Sequence, residues 1–184
     1  MPIYITMLRG INVSGQKLIK MERLRASLVE LGFGEVRTYI QSGNVVFKAT
    51  KQSSDGLAKK IAGKILDDFG FPVPVLVRTA DEMSAVVEAN PFLREAGIDE
   101  SKLHVTFLSD AAPATAEKML AVLAAKSERF QVRGREIYLC FPDGYGNTKL
   151  SNSAIEKKLS VTATTRNWKT VNLLSAMAKS IFEP

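Results

Sequence analysis

The chain switches several times between two hydrophobic rhythms. Residues 3–8, IYITML, are β-branched and aromatic and predict a strand. Met21, Leu24, Leu28 and Leu31 then recur at helical spacing and Gly32 follows as a stop, which predicts a helix over 20–31. Residues 36–41 and 44–48 read as two strands joined at Ser42-Gly43, a two-residue hairpin turn with glycine at positive φ. Leu57, Ile61, Ile65 and Phe69 form the next helical stripe, ended by Gly70, and a strand over 75–78 follows Pro72-Val-Pro74. A helix over 81–89 stops at Asn90-Pro91.

The order then begins again. A strand is expected at 103–108, an Ala-rich helix at 114–126, strands at 129–132 and 136–141 around Arg133-Gly134-Arg135, and a short helix at 152–159. A short extended piece at 161–164 and a helix over 167–180 complete the chain. Arg78-Thr79 before one closing helix echoes Thr165-Arg166 before the other. The expected fold class is therefore α+β: two tandem ferredoxin-like βαββαβ units, each followed by an extra helix. Residues 1–92 form the first unit and 93–184 the second, with the boundary in 90–102. The strands carry apolar residues on both faces, as at Val45-Val46-Phe47, so something must cover the second face of each sheet.

Composition narrows the function classes. The 184 residues include 46% hydrophobic ones, enough for a packed core, and no apolar run reaches the ~20 residues that span a bilayer. The start lacks the features of a secretion signal, and the one cysteine, Cys140, suits a reducing compartment, so a cytoplasmic location is expected. One histidine and one cysteine exclude a zinc site by count, and the sequence leaves any cofactor unknown. Both fall mid-strand, where His104 reads as a sheet-face residue and Cys140 as a small buried hydrophobe. The net charge of +6 favours an anionic partner, a small molecule or nucleic acid, and no membrane.

The stretch LRGINVSGQKLIKM at 8–21 has the outline of a phosphate-binding loop but fails as one. Gln16 stands where a Walker lysine belongs, Lys17 is one place late and Leu18 replaces Ser/Thr. Two readings stay open: an anion site near Lys17 and Lys20, and a tight turn with two permissive glycines. The tripeptide Asp68-Phe69-Gly70 has no kinase context. Neither SGNVVFKA nor GREIYLCF fits the RNP1 pattern of an RNA-recognition module. The segment FPDGYGNTKLSN at 141–152 carries Lys149, and TTRNWKT at 164–170 carries Arg166 and the single tryptophan, Trp168. Arg166 near a helix start beside a Gly-rich loop suits a phosphate or carboxylate; equally, Thr165 or Asn167 can cap the helix and Trp168 anchor it.

Four stretches together, LRGINV at 8–13, RTYIQSGNVVF at 37–47, KLSNSAIEKKL at 149–159 and TTRNWKTV at 164–171, resemble the bacterial family known as domain of unknown function 1697. The resemblance implies an α+β fold with ferredoxin-like halves and no established activity. Ser14 departs from the glycine common in the family, which weakens the case for a glycine-rich first loop. Its polar motif positions are Arg9, Asn12, Gln41, Ser42, Asn44, Lys149, Asn152, Arg166, Asn167 and Trp168. With Lys17 these make the candidate ligand-binding set. The expectation is a binding protein for an anionic ligand, nucleotide-like or nucleic acid, in a cleft between the halves. The alternatives are an enzyme acting on a phosphorylated small molecule, with Arg9, Lys149 and Arg166 as clamps and a carboxylate such as Glu156 as base, and a protein-interaction module.

Overall fold

The computed structural model describes residues 1–182. They form a mixed α+β structure with two four-stranded antiparallel sheets and six α-helices. The strands are β1 (Ile3–Leu8), β2 (Gly34–Tyr39), β3 (Asn44–Lys48), β4 (Val75–Thr79), β5 (Leu103–Leu108), β6 (Arg129–Arg133), β7 (Glu136–Cys140) and β8 (Ala163–Asn167). The helices are α1 (Met21–Glu30), α2 (Ser54–Phe69), α3 (Ala80–Glu88), α4 (Ala116–Ala121), α5 (Asn152–Leu159) and α6 (Trp168–Phe182). By packing, the chain falls into two compact units. One contains Met1–Ala85 and the chain from Leu173 onward; the other is Val86–Asn172.

In the first unit the strand order is β2-β3-β1-β4, and every neighbouring pair is antiparallel. Tyr4 and Leu8 of β1, Val45 and Phe47 of β3 and Val77 of β4 meet Leu24 and Leu28 of α1 and Leu57, Ile61 and Ile65 of α2 in one core. Phe47 stacks on Phe33 at 4.5 Å between ring centres, so its burial stabilises by about 1.5–3 kcal/mol before any ring-pair gain. Helix α2 is bounded by local chemistry. Ser53 accepts the Gly56 amide at its start (3.1 Å), and Gly70 at φ 79 closes its end. On the opposite face Ile5, Met7, Val46, Leu76 and Arg78 are also buried, as the unbroken apolar runs require.

In the second unit the order is β6-β7-β5-β8, the same sequence of positions when each sheet's strands are counted from one. Its core joins Leu108, Ile137, Leu139 and Ala163 of the sheet to Leu120 of α4 and Ile155 of α5. The registers also correspond: Ile5 faces Arg78 across β1–β4, and Val105 faces Arg166 across β5–β8. The sequence echo thus shifts by one residue. Arg78 matches Arg166, both buried, and Thr79 matches Asn167. Both of the latter cap the next helix: the Glu82 amide donates to Thr79 Oγ1 (3.1 Å) and the Thr170 amide to Asn167 Oδ1 (2.8 Å).

Three elements differ from the sequence expectation. The β2–β3 connection is a four-residue turn, Ile40 to Gly43, because Tyr39 and Asn44 are the last paired residues. Helix α4 stops at Ala121 although alanine continues, because the Ala125 amide donates to Glu128 Oε2 (2.9 Å) and the Glu128 amide to the Ala125 carbonyl (3.0 Å). That turn delivers Arg129 to its pairing with Cys140. Strand β8 runs on through Asn167, since β5 pairs with it along its whole length, so Arg166 sits in a strand and α6 begins at Trp168.

Candidate functional site

Arg9, Asn12, Lys17, Gln41, Ser42 and Asn44 come together in the first unit, on the loop between β1 and α1 and the turn between β2 and β3. Asn12 holds the two segments together. Its Nδ2 donates to the Gln41 carbonyl (2.7 Å) and the Ile19 carbonyl (3.0 Å), and its Oδ1 accepts the Ile19 amide (2.8 Å). Three bonds from one side chain fix the loop entry, the loop exit and the neighbouring turn. Inside the loop the Gln16 amide donates to the Val13 carbonyl (2.9 Å), with Ser14 at φ 50 and Gly15 at φ 73. Two central residues at positive φ make this a type I′ turn. The turn reading of the Gly10–Gly15 stretch thus has a backbone basis in the bond across Ser14-Gly15. Neither glycine has an atom within 4 Å of where a Cβ would sit; Gly15 supplies the turn's second central residue, and Gly10 a left-handed backbone at φ 71 just after β1.

The β2–β3 turn is held as firmly. Asn44 is fully buried and donates to Ser42 Oγ (2.8 Å), while the Gly43 carbonyl accepts the Leu8 amide (3.0 Å). Four of the six non-glycine residues with left-handed backbone among the described residues lie in these two segments: Asn12, Ser14, Lys17 and Ile40. For the β-branched Ile40 this conformation is a true outlier, with strain on the order of 1–3 kcal/mol. What the segments display is equally unusual. Val13, Leu18 and Ile40 are 59%, 67% and 49% exposed. Residues 1–21 and 36–54 contain no Asp or Glu, while Arg9, Lys17 and Lys20 lie in or beside the first loop. The Lys17 ammonium is anchored by donation to the Pro72 carbonyl (2.8 Å). The exposed aliphatics were not singled out from sequence; the available signal was apolar residues in a glycine-bearing loop with neither helical nor strand period.

The second unit holds Lys149, Asn152, Arg166, Asn167 and Trp168. Asn152 accepts the Thr165 hydroxyl (2.7 Å), which in turn pairs with Thr106 (2.7 Å), tying the start of α5 to β8 and β5. Arg166 is buried and donates to Thr164 Oγ1 (2.8 Å) and the Thr165 carbonyl (2.9 Å); burial pushes its guanidinium down to about 10. Trp168 is 2% exposed and donates through Nε1 to Glu100 (3.1 Å), so it anchors α6. Glu156, the carboxylate expected to act as a base, accepts the Ala163 amide (3.0 Å) and fastens α5 to β8. His104 stacks on Tyr145 at 5.2 Å, and burial holds its imidazole below the usual 6.5. Of this group Lys149 and Asn167 stand exposed, and the Asn167 side chain is occupied by the Thr170 amide. Among the described residues no group of His, Cys, Asp and Glu could hold a metal ion, and no helix is long and apolar enough to cross a membrane.

The first set of contacts lies within the stretch matched by one family model, and the second lies beyond it. The model for the proteins of unknown function called DUF1697 matches residues 1–138, three quarters of the chain. The chain belongs to the DUF1697 family. Among solved structures, the conserved bacterial protein SP0830 from Streptococcus pneumoniae superposes with a TM-score of 0.73 at 23% identity, over 96% of this chain and 98% of that one. That likeness is one of fold. A search of curated proteins returns no match. The tie made by Asn12 joins two segments that both lie within the matched residues.

Proposed function

We propose that this DUF1697 protein binds an anionic ligand, a nucleic-acid phosphate backbone before all others, on the paired loops of its first unit. The observation that carries this reading is a rigid, strained and acid-free loop pair that presents Arg9, Lys17 and Lys20. Strained backbone persists only where surrounding structure holds it, and such places are enriched in binding sites. Here the triple tie of Asn12 and the buried Asn44 do the holding. Cations on a fixed frame approach phosphates without a further loss of loop entropy. A protruding loop suits an extended polymer better than a small molecule, which binds in concave sites. We also read each unit as a ferredoxin-like βαββαβ fold repeated in tandem; the shared strand order and matching registers support it.

The test is fluorescence anisotropy of a labelled single-stranded oligonucleotide over a salt series, with unlabelled mononucleotides as competitors. Saturable binding that weakens with salt at a slope of about −0.7 per phosphate contacted is expected, with mononucleotides competing poorly. Absence of saturable binding at low salt would rule this reading out.

A second reading draws on Val13, Leu18 and Ile40. Exposed aliphatic side chains among cations also suit an acidic protein surface, and make the chain an interaction module. Retention of binding after Lys17 and Lys20 are neutralised, together with its loss on Leu18→Ser, would favour that partner class.

A further inference from the structure

An open cavity of about 290 Å³ lies within the second unit, and none of its lining residues is a candidate site residue discussed above. The loop at 95–99 and Lys102 form one wall, and Arg129 of β6, Cys140 of β7 and Pro142 form the other. Its charged groups divide by what they are already doing. Glu95 is engaged by Arg129 Nη1 through both oxygens (2.8 and 2.6 Å). Asp99 Oδ1 accepts the Ser101 amide (3.0 Å) and hydroxyl (2.6 Å), which hold its carboxyl below the usual range. Glu95 is thus engaged through both oxygens and Asp99 through Oδ1.

The cations divide: Arg129 is paired with Glu95 through Nη1, and Lys102 has no such partner. Among the described residues the Lys102 ammonium makes no hydrogen bond and no ion pair within 4 Å, and Arg129 Nη2 has only the Cys140 sulfur, at 3.6 Å. Arg129 is held in place from beneath by the Phe92 ring, 5.2 Å from its guanidinium carbon. The cavity therefore presents donors with capacity to spare at Lys102 and at Arg129 Nη2. Between them lie Ala96, Ile98 and the buried Cys140, which give the floor an apolar character.

We propose that this cavity binds a small monocarboxylate with a short aliphatic chain. The carboxylate meets Lys102 and the free edge of Arg129, and the chain lies against Ile98 and the Cys140 side chain. A single negative charge fits because Glu95 and Asp99 line the same cavity and repel a dianion more strongly. The volume suits a ligand of a few carbons rather than a nucleotide. This site is independent of the loop surface of the first unit.

The test is an amide NMR titration of the whole chain with butyrate, and in parallel with n-butanol and inorganic phosphate. Butyrate should saturate with a Kd on the order of 1–10 mM, as expected of so small a ligand. Its shifts should concentrate on Gly97, Ile98, Lys102 and Cys140, with n-butanol and phosphate at least about tenfold weaker. Lys102→Met removes no hydrogen bond of the fold and should weaken butyrate about tenfold while leaving n-butanol unchanged. Arg129→Lys, which keeps the charge and loses the fork, serves as the second variant and should also weaken butyrate. The spectrum itself reports whether each variant is folded. The proposal is overturned if butyrate does not saturate, if n-butanol or phosphate binds as well at the same amides, or if Lys102→Met binds butyrate unchanged.

Discussion

Gly43→Ala is the sharpest probe of the loop frame. Two separate demands meet at this residue. Its φ of +75° is left-handed, which costs a residue with a Cβ about 1–2 kcal/mol. The added Cβ would also lie 2.6 Å from Leu8 Cβ, 2.8 Å from Ile11 Cδ1 and 2.9 Å from Leu8 Cγ. Leu8 and Ile11 are both buried and cannot swing away, so overpacking adds about 1–3 kcal/mol. The total loss should be about 2–5 kcal/mol, a large share of the ~5–15 kcal/mol that holds a domain folded. Gly10→Ala is the matched control: φ is +71° and nothing lies within 4 Å of its Cβ, so only the conformational part applies. Urea midpoints at constant slope should place Gly43→Ala about 1–3 kcal/mol below Gly10→Ala. In melting temperature the gap is on the order of 2–12 °C for a chain of this size. Equal losses in the two variants would refute the claim that Gly43 is required by close packing of the turn on β1.

Three other outcomes are expected. Asn12→Ala removes three hydrogen bonds and leaves alanine at φ 55, so urea unfolding should show a loss of about 2–4 kcal/mol together with weaker oligonucleotide binding. Between the depressed folded value of His104 and its ordinary 6.5 the unfolded chain binds more protons. Stability should therefore be complete above pH 6.5 and fall as pH drops through that window, and urea midpoints of His104→Gln should lose this dependence. Burial also pushes the Tyr138 hydroxyl up to about 12, so alkaline unfolding should set in as pH rises from 10 towards 12, and Tyr138→Phe should remove that contribution.

Local pattern made much of this fold readable. The helical stripes of α1, α2 and α5 and the apolar runs of β1, β3 and β5 are strong signals, and Asn152–Leu159 lies where the spacing places it. What was hidden depended on distant partners. Alanine propensity extends α4 past residue 121, but the Glu128 turn and the pairing of β6 override it. The Thr-rich start of TTRNW looks like a helix entry until β5 is seen to pair with it through Asn167. Polar motif residues were legible as positions and less so as roles. Asn12, Asn44, Asn152 and Trp168 look like ligand contacts in a sequence, yet their side chains are engaged with backbone or neighbouring side chains. The exposed Val13, Leu18 and Ile40, by contrast, resemble core residues by type, and only the fold reveals their exposure. The Lys102–Arg129 cavity joins a turn to two strand ends, and no local pattern encodes it.

The most direct measurement is the salt dependence of oligonucleotide binding by the Lys17→Gln/Lys20→Gln double variant, beside the unchanged protein and a Lys118→Gln control on α4. If the loop pair contacts phosphates through these lysines, the double variant should bind more weakly at low salt, and its slope should be shallower by about 1.4, two contacts at ~0.7 each. The control should match the unchanged protein. A double variant that is folded by circular dichroism and keeps both affinity and slope would contradict the assignment of the first unit's loops as the anion-binding surface.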